Sequence, residues 1–152
     1  MKMFTGMNIS ASALTTNRLK MDVIAANLAN ANTTRAEFVD GKWQPYRRKL
    51  VEVSPLNPSP FDRMLQANLN QNQAGSIGGV RATRIIDDQT PFKRAYQPEH
   101  PDADEEGYVY LPNVDPLKEM VDLMAVTRSY EANISAFNAT KTMMLKTLEI
   151  GK

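Results

Sequence analysis

The chain has 152 residues, with 18 Lys and Arg against 17 Asp and Glu, one His and no Cys. A net charge of +1 gives no global electrostatic reason for nucleic acid or an anionic membrane as partner, and the missing thiols exclude a disulfide scaffold, thiolate catalysis and the common zinc modules. A mean hydropathy of −0.42 and 7% aromatic residues fit about one domain with a modest core, suited to helix–helix seams more than to a thick globule.

The first predicted element is a helix from about Thr5 to Asn30, rich in Ala, Leu, Met and Arg. Along it Phe4, Met7, Ala11, Leu14, Met21, Ala25 and Leu28 recur in helical steps, with Arg18 as an interruption. Steps of three and four place them on one face, in the pattern of a coiled-coil seam. The run Asn27-Leu28-Ala29-Asn30-Ala31-Asn32-Thr33-Thr34 ends the helix, because Asn and Thr favour caps and turns. Side chains of Asn27, Asn30 and Asn32 are candidates to satisfy backbone groups there. Lys2 and Ala11-Ser12-Ala13 imitate the ends of a secretory signal, but Thr5, Gly6, Asn8 and Ser10 make the stretch between them too polar. No run of about 18 apolar residues offers a membrane span.

The middle reads as a small β-rich insert. Tyr46 to Val53 has strand character and is closed by Ser54-Pro55, and three prolines between Ser54 and Pro60 argue against regular structure there. Gln66 to Gly79 is rich in Gln, Asn and Gly and reads as a loop. Val80 to Ile86, Phe92 to Tyr96 and Tyr108 to Leu111 are further short strands.

Asp115-Pro116 opens the strongest element, a helix running to about Ile150 with Gly151 as its C-cap. Its stripe is Met120, Leu123, Tyr130, Ile134, Phe137, Met144 and Leu148, with Thr127 and Lys141 as polar breaks. The expected fold is therefore mainly α with a small β-rich insert, the N- and C-terminal helices pairing as a coiled coil. Residues 1–34 with 113–152 would form the helical core, and 35–112 the middle segment. Too little apolar surface lies between them to cover both stripes, so a partner helix or another subunit must bury part of each face. Arg18, Thr127 and Lys141 would then set register and partner choice.

Chemistry is sparse by comparison. Asp102, Asp104 and Glu106 with Gly107 imitate part of a calcium loop, but Asn113 stands where a bidentate Glu is needed. His100 has no Cys, second His or Ser motif beside it and reads as a turn residue between Pro98 and Pro101. Arg47-Arg48-Lys49 beside Trp43 and Tyr46 reads as a structural or protein-contact surface more than a nucleic-acid patch. Gly75, Gly78 and Gly79 lack the context of a phosphate cradle. No catalytic residue, cofactor, metal or small-molecule substrate is expected.

The run from Ser12-Ala13-Leu14 through Arg18-Leu19-Lys20-Met21-Asp22-Val23-Ile24-Ala25-Ala26 to Thr34 resembles the N-terminal signature of the bacterial flagellar axial proteins, with Asn27, Asn30, Asn32 and Thr33 at its heart. Pro45-Tyr46-Arg47-Arg48-Lys49, Pro91-Phe92-Lys93, His100-Pro101-Asp102-Ala103-Asp104, Pro112-Asn113-Val114 and Arg128-Ser129-Tyr130-Glu131-Ala132-Asn133 narrow the likeness to the proximal-rod members. The resemblance covers nearly the whole chain. It departs at Thr34-Arg35-Ala36-Glu37-Phe38, where many relatives carry a Gly-Phe or Gly-Tyr pair. The resemblance implies export through the flagellar type III apparatus without a cleaved signal, and polymerisation into the periplasmic rod. It also implies contact with other rod proteins, the rod–ring adaptor and the membrane ring. A cytoplasmic helical adaptor or export chaperone is the alternative reading.

Overall fold

The computed structural model describes residues 4–39, 41–56, 64 and 78–150. Helix α1 spans Thr5–Ala29 and helix α2 spans Pro116–Ile150. Between them lie β1 (Glu37–Val39), β2 (Lys42–Gln44), β3 (Lys49–Pro55), β4 (Val80–Asp87), β5 (Lys93–Tyr96) and β6 (Tyr108–Leu111). The strands pair antiparallel as β1–β2, β3–β4 and β5–β6.

Both helices start and stop for local reasons. Asp115 Oδ1 accepts from Leu117 N at 3.1 Å, and Pro116 occupies the first helical position, where its missing N–H costs nothing. At 1.5 Å per residue, the 35 residues of α2 extend about 50 Å. At the other boundary Asn30 N and Asn30 Nδ2 both donate to Ala26 O, at 3.1 and 2.9 Å. Hydroxyls within the helices bond back to carbonyls one turn earlier, as at Thr15, Thr16, Thr127, Ser129 and Thr140. Such internal satisfaction lets polar side chains sit in a helix without a distant partner.

The helices pack on each other and run antiparallel. Gly6 lies beside Thr140, Thr127 Oγ1 contacts Met21 Sδ at 3.7 Å, and Asn27 meets Glu119. The opposite side of α1 carries β3 and β4. Buried aliphatic side chains among the described residues are few: Val23, Val109 and Val114.

The middle segment corrects the sequence reading at three points. The hairpin β1–β2, joining Phe38 opposite Trp43, was not expected. Tyr46 to Arg48 precede β3 instead of belonging to it. The proline-rich run does not forbid a strand, since β3 continues through Ser54 to Pro55 opposite Val80. A two-stranded sheet has only edge strands, so Pro55 there need not remove a ladder donor. The expected loop from Gln66 to Gly79, apart from Gly78 and Gly79, and the Gly151 cap lie outside the described residues.

Candidate functional site

The densest chemistry in the molecule is structural. It lies where the end of α1, the entry to β3 and the first turn of α2 meet. Asn27 and Glu119 are each only 1% exposed. Asn27 Nδ2 donates to Lys49 O at 2.9 Å and to Glu119 Oε2 at 3.1 Å, while Asn27 Oδ1 accepts from Lys49 N at 2.9 Å and Tyr46 Oη at 3.0 Å. Two donors face two acceptors and two lone pairs face two donors, so the amide is saturated and its orientation fixed.

Glu119 Oε1 receives Arg48 Nε at 2.6 Å. The same guanidinium reaches Asp88 and Asp122, each at 3.6 Å. Asn113 closes the far side, accepting from Arg48 N at 2.8 Å and donating to Asp88 O and Thr90 Oγ1. Four stretches distant in sequence are thereby tied together. Burial raises the Tyr46 phenol above its ordinary range, and the Asp87 and Glu119 carboxylates push it the same way. Asp88 is held below the usual carboxylate range by the Thr90 N–H, with help from the Thr90 hydroxyl and Arg48. A cleft of about 290 Å³ opens beside the junction, lined by Val23, Ile24, Leu50, Val51, Ala125 and Val126 on its apolar side.

A second anchor holds β4 to α1. Ser12 Oγ accepts from Val80 N at 3.1 Å and donates to Ile9 O at 2.7 Å. Thr16 Oγ1 approaches Val80 O at 3.4 Å. Gly79 is what permits the approach: a Cβ there would fall 1.9 Å from Ser12 Oγ.

The two stripes lie unevenly. Met7, Leu14, Met21, Leu28, Leu123, Tyr130, Phe137 and Met144 are half-buried, whereas Phe4, Met120, Ile134 and Leu148 are exposed. Apolar exposure on α2 extends beyond the stripe to Leu117, Val121, Met124, Met143 and Leu145. A helix this apolar on its outer side has surface to offer a neighbour. Arg18 and Lys141 are exposed, so neither sits in the seam; Thr127 alone of the three polar breaks faces α1.

Among the signature residues, Asn30 closes the helix end and accepts from Thr33 Oγ1 at 3.2 Å. Asn32 is exposed. Asn27 does not cap the helix; it joins the buried junction instead. Arg48, Glu119 and Tyr46 were not among the expected site residues, because their partners lie far away in sequence.

The acidic loop is likewise committed to the fold. Asp102 accepts from Thr34 Oγ1 at 2.7 Å and from Arg35, and these bonds hold its carboxyl below the usual range. Asp104 Oδ1 accepts from Glu106 N and Tyr108 N, and Gly107 takes a positive φ of 81° to turn the chain back toward β6. His100 Nδ1 accepts from Asp102 N at 3.1 Å. The basic run is absorbed too: Arg47 stacks on Phe92, Arg48 is in the junction and Lys49 pairs with Asp87. Among the described residues no helix is long and apolar enough to cross a membrane.

Comparison with known proteins agrees with an assembly part. The family model for the flagella basal body rod protein matches residues 7–36, and that for the C-terminal part of the flagellar basal body rod FlgEFG proteins matches residues 105–150. The two matches fall on the regions of α1 and α2. The flagellar basal-body rod protein FlgC of Bacillus subtilis is 53% identical over the full length of both chains. Its counterpart in Escherichia coli O6:H1 is 41% identical over 95% of both. That of Borreliella burgdorferi is 38% identical over 99% of this chain and 98% of the relative. These relatives leave the adaptor or chaperone alternative without support. The chain belongs to the FlgC family of flagellar basal-body rod proteins.

Proposed function

We propose that the chain, a structural subunit of the flagellar basal-body rod and not an enzyme, polymerises through its paired terminal helices into the proximal part of a periplasmic drive shaft carrying torque from the membrane ring to the hook. The observation that carries this reading is the apolar outer side of α2, where Leu117 and Met143 are 70% and 66% exposed. Residues 1–34 with 113–152 form the inner, coiled-coil unit, and 35–112 pack outside it. Phe4, Met7, Leu14, Met21 and Leu28 on one helix, with Met120, Leu123, Tyr130, Ile134, Phe137, Met144 and Leu148 on the other, supply the seam and its contacts with neighbours. Those neighbours are copies of this chain, other rod proteins, the rod–ring adaptor and the membrane ring. Delivery is by the flagellar type III export apparatus, without a cleaved signal. The test is to purify detergent-resistant basal bodies from the source bacterium and search them for this chain by mass spectrometry. Its presence there, with loss of the rod on gene deletion, is the expected result. Recovery from the cytosol alone, bound to a client at fixed ratio, would replace the rod reading with the chaperone one.

A further inference from the structure

One end of the seam between the helices is closed by a polar contact, Asn27 on α1 with Glu119 on α2. Both side chains are buried, whereas among the described residues Val23 is the one buried aliphatic side chain of the two helices. Along α2 the half-buried Leu123, Tyr130, Phe137 and Met144 recur every seven residues, so sliding α2 by one heptad, about 10.5 Å, exchanges one of these apolar contacts for another. Asn27 does not tolerate such an exchange. A slide of seven residues sets either Val126 or Pro112 at the level of Glu119. Neither side chain can accept from Asn27 Nδ2, and Glu119 would be carried away from Arg48. Buried amides and carboxylates without partners cost far more than mismatched methyl groups.

We infer that Asn27, Glu119 and Arg48 are a register lock, selecting one antiparallel alignment of α1 and α2 from the several that the apolar stripes permit. The saturated amide of Asn27 reads the alignment by meeting Glu119 Oε2 on α2. Arg48 reads it from the strand side by meeting Glu119 Oε1. Asn27 also holds both backbone polar groups of Lys49, so the same lock positions the β3–β4 hairpin along the helix pair. Every copy then presents the same length and the same faces to its neighbours. A slipped copy is longer or shorter by a heptad and misplaces its outer segment.

The absence of cysteine allows register to be read by disulfide trapping on the isolated full-length chain, independently of any role in a rod. A Cβ at Gly6 would lie 3.6 Å from Thr140 Cγ2, so Gly6→Cys with Thr140→Cys reports the observed alignment. Gly6→Cys with Thr147→Cys or with Asn133→Cys reports a slide of one heptad in either direction. In a glutathione redox buffer the otherwise unaltered chain is expected to trap the first pair and not the other two. Adding Asn27→Leu and Glu119→Leu, which keep bulk but remove polarity, should raise a shifted crosslink at least about tenfold. Glu119→Gln keeps the shape of the site and decides the matter if the double variant loses its helical circular dichroism. It should raise the shifted product about threefold through the lost charge on Arg48. Trapping of the observed pair alone in these variants, as in the parent, overturns the lock. So do shifted crosslinks already abundant in the parent.

Discussion

Replacing Gly79 with Ala tests how closely β4 sits on α1. The new methyl carbon would lie 1.9 Å from Ser12 Oγ and 2.8 Å from Ser12 Cβ. Ser12 cannot swing aside freely, because its hydroxyl is committed both to Ile9 O and to Val80 N. The start of β4 must therefore retreat from the helix by about 1 Å. That displacement breaks the Val80 N–Ser12 bond and the already long Thr16–Val80 bond. At about 1 kcal/mol net for each bond, and with packing lost beside them, the cost is about 2–3 kcal/mol. Urea unfolding followed by circular dichroism should show the midpoint falling by about 0.7–3 M, for a slope of about 1–3 kcal/mol/M. Removing the opposing side chain provides the control. Gly79→Ala in a Ser12→Gly background should cost much less than in the parent, giving strong coupling between the two sites. A Gly79→Ala midpoint equal to that of the parent, or effects of the two substitutions that simply add, would refute the close approach.

Arg48→Ala strands the Glu119 carboxylate in a site that is 1% exposed, and should cost about 3–5 kcal/mol in the same unfolding assay, whereas an exposed ion pair would cost under about 1 kcal/mol. Tyr46→Phe removes one of two donors to Asn27 Oδ1 and should cost about 1 kcal/mol. Because the folded Tyr46 phenol is raised above its ordinary range, its contribution is fully present below about pH 10 and is lost as pH rises through the folded value; alkaline unfolding curves of parent and Tyr46→Phe should therefore converge. Asp88 and Asp102 are shifted the other way, so their contributions are present above about pH 4 and vanish as pH falls through their lowered values. Arg35→Ala should bring the Asp102 titration, followed by NMR, back toward the ordinary range.

The helices were legible because their signals are local. Asp115-Pro116 marks a helix start by side chain and by fixed φ, and the Asn-rich run beyond Ala26 marks a helix end. Strands β4, β5 and β6 were legible as short apolar or aromatic runs between turn residues. The β1–β2 hairpin escaped because its strands have three residues each, too few to show alternation, although Asp-Gly in the sequence between them is a hairpin signal and Gly41 takes a φ of 79°. The buried junction could not be read locally at all. Asn27 and Glu119 are 92 residues apart, and Arg48 and Glu119 are 71 apart. Nothing in the neighbourhood of Asn27 separates a helix cap from a buried bridge. Its helical phase relative to Val23 was the one available hint, since steps of three and four from a core residue also lead to it.

In the proposed rod, neighbouring subunits complete a helix pair that the isolated chain holds only through a thin seam. Amide exchange at Leu14, Met21, Tyr130 and Phe137 tests it most directly, measured on dilute monomer and on the chain assembled in basal bodies. Exchange through low-energy openings is expected in the monomer, and strong protection in the assembly. Equally strong protection of those four amides in the dilute monomer would contradict it.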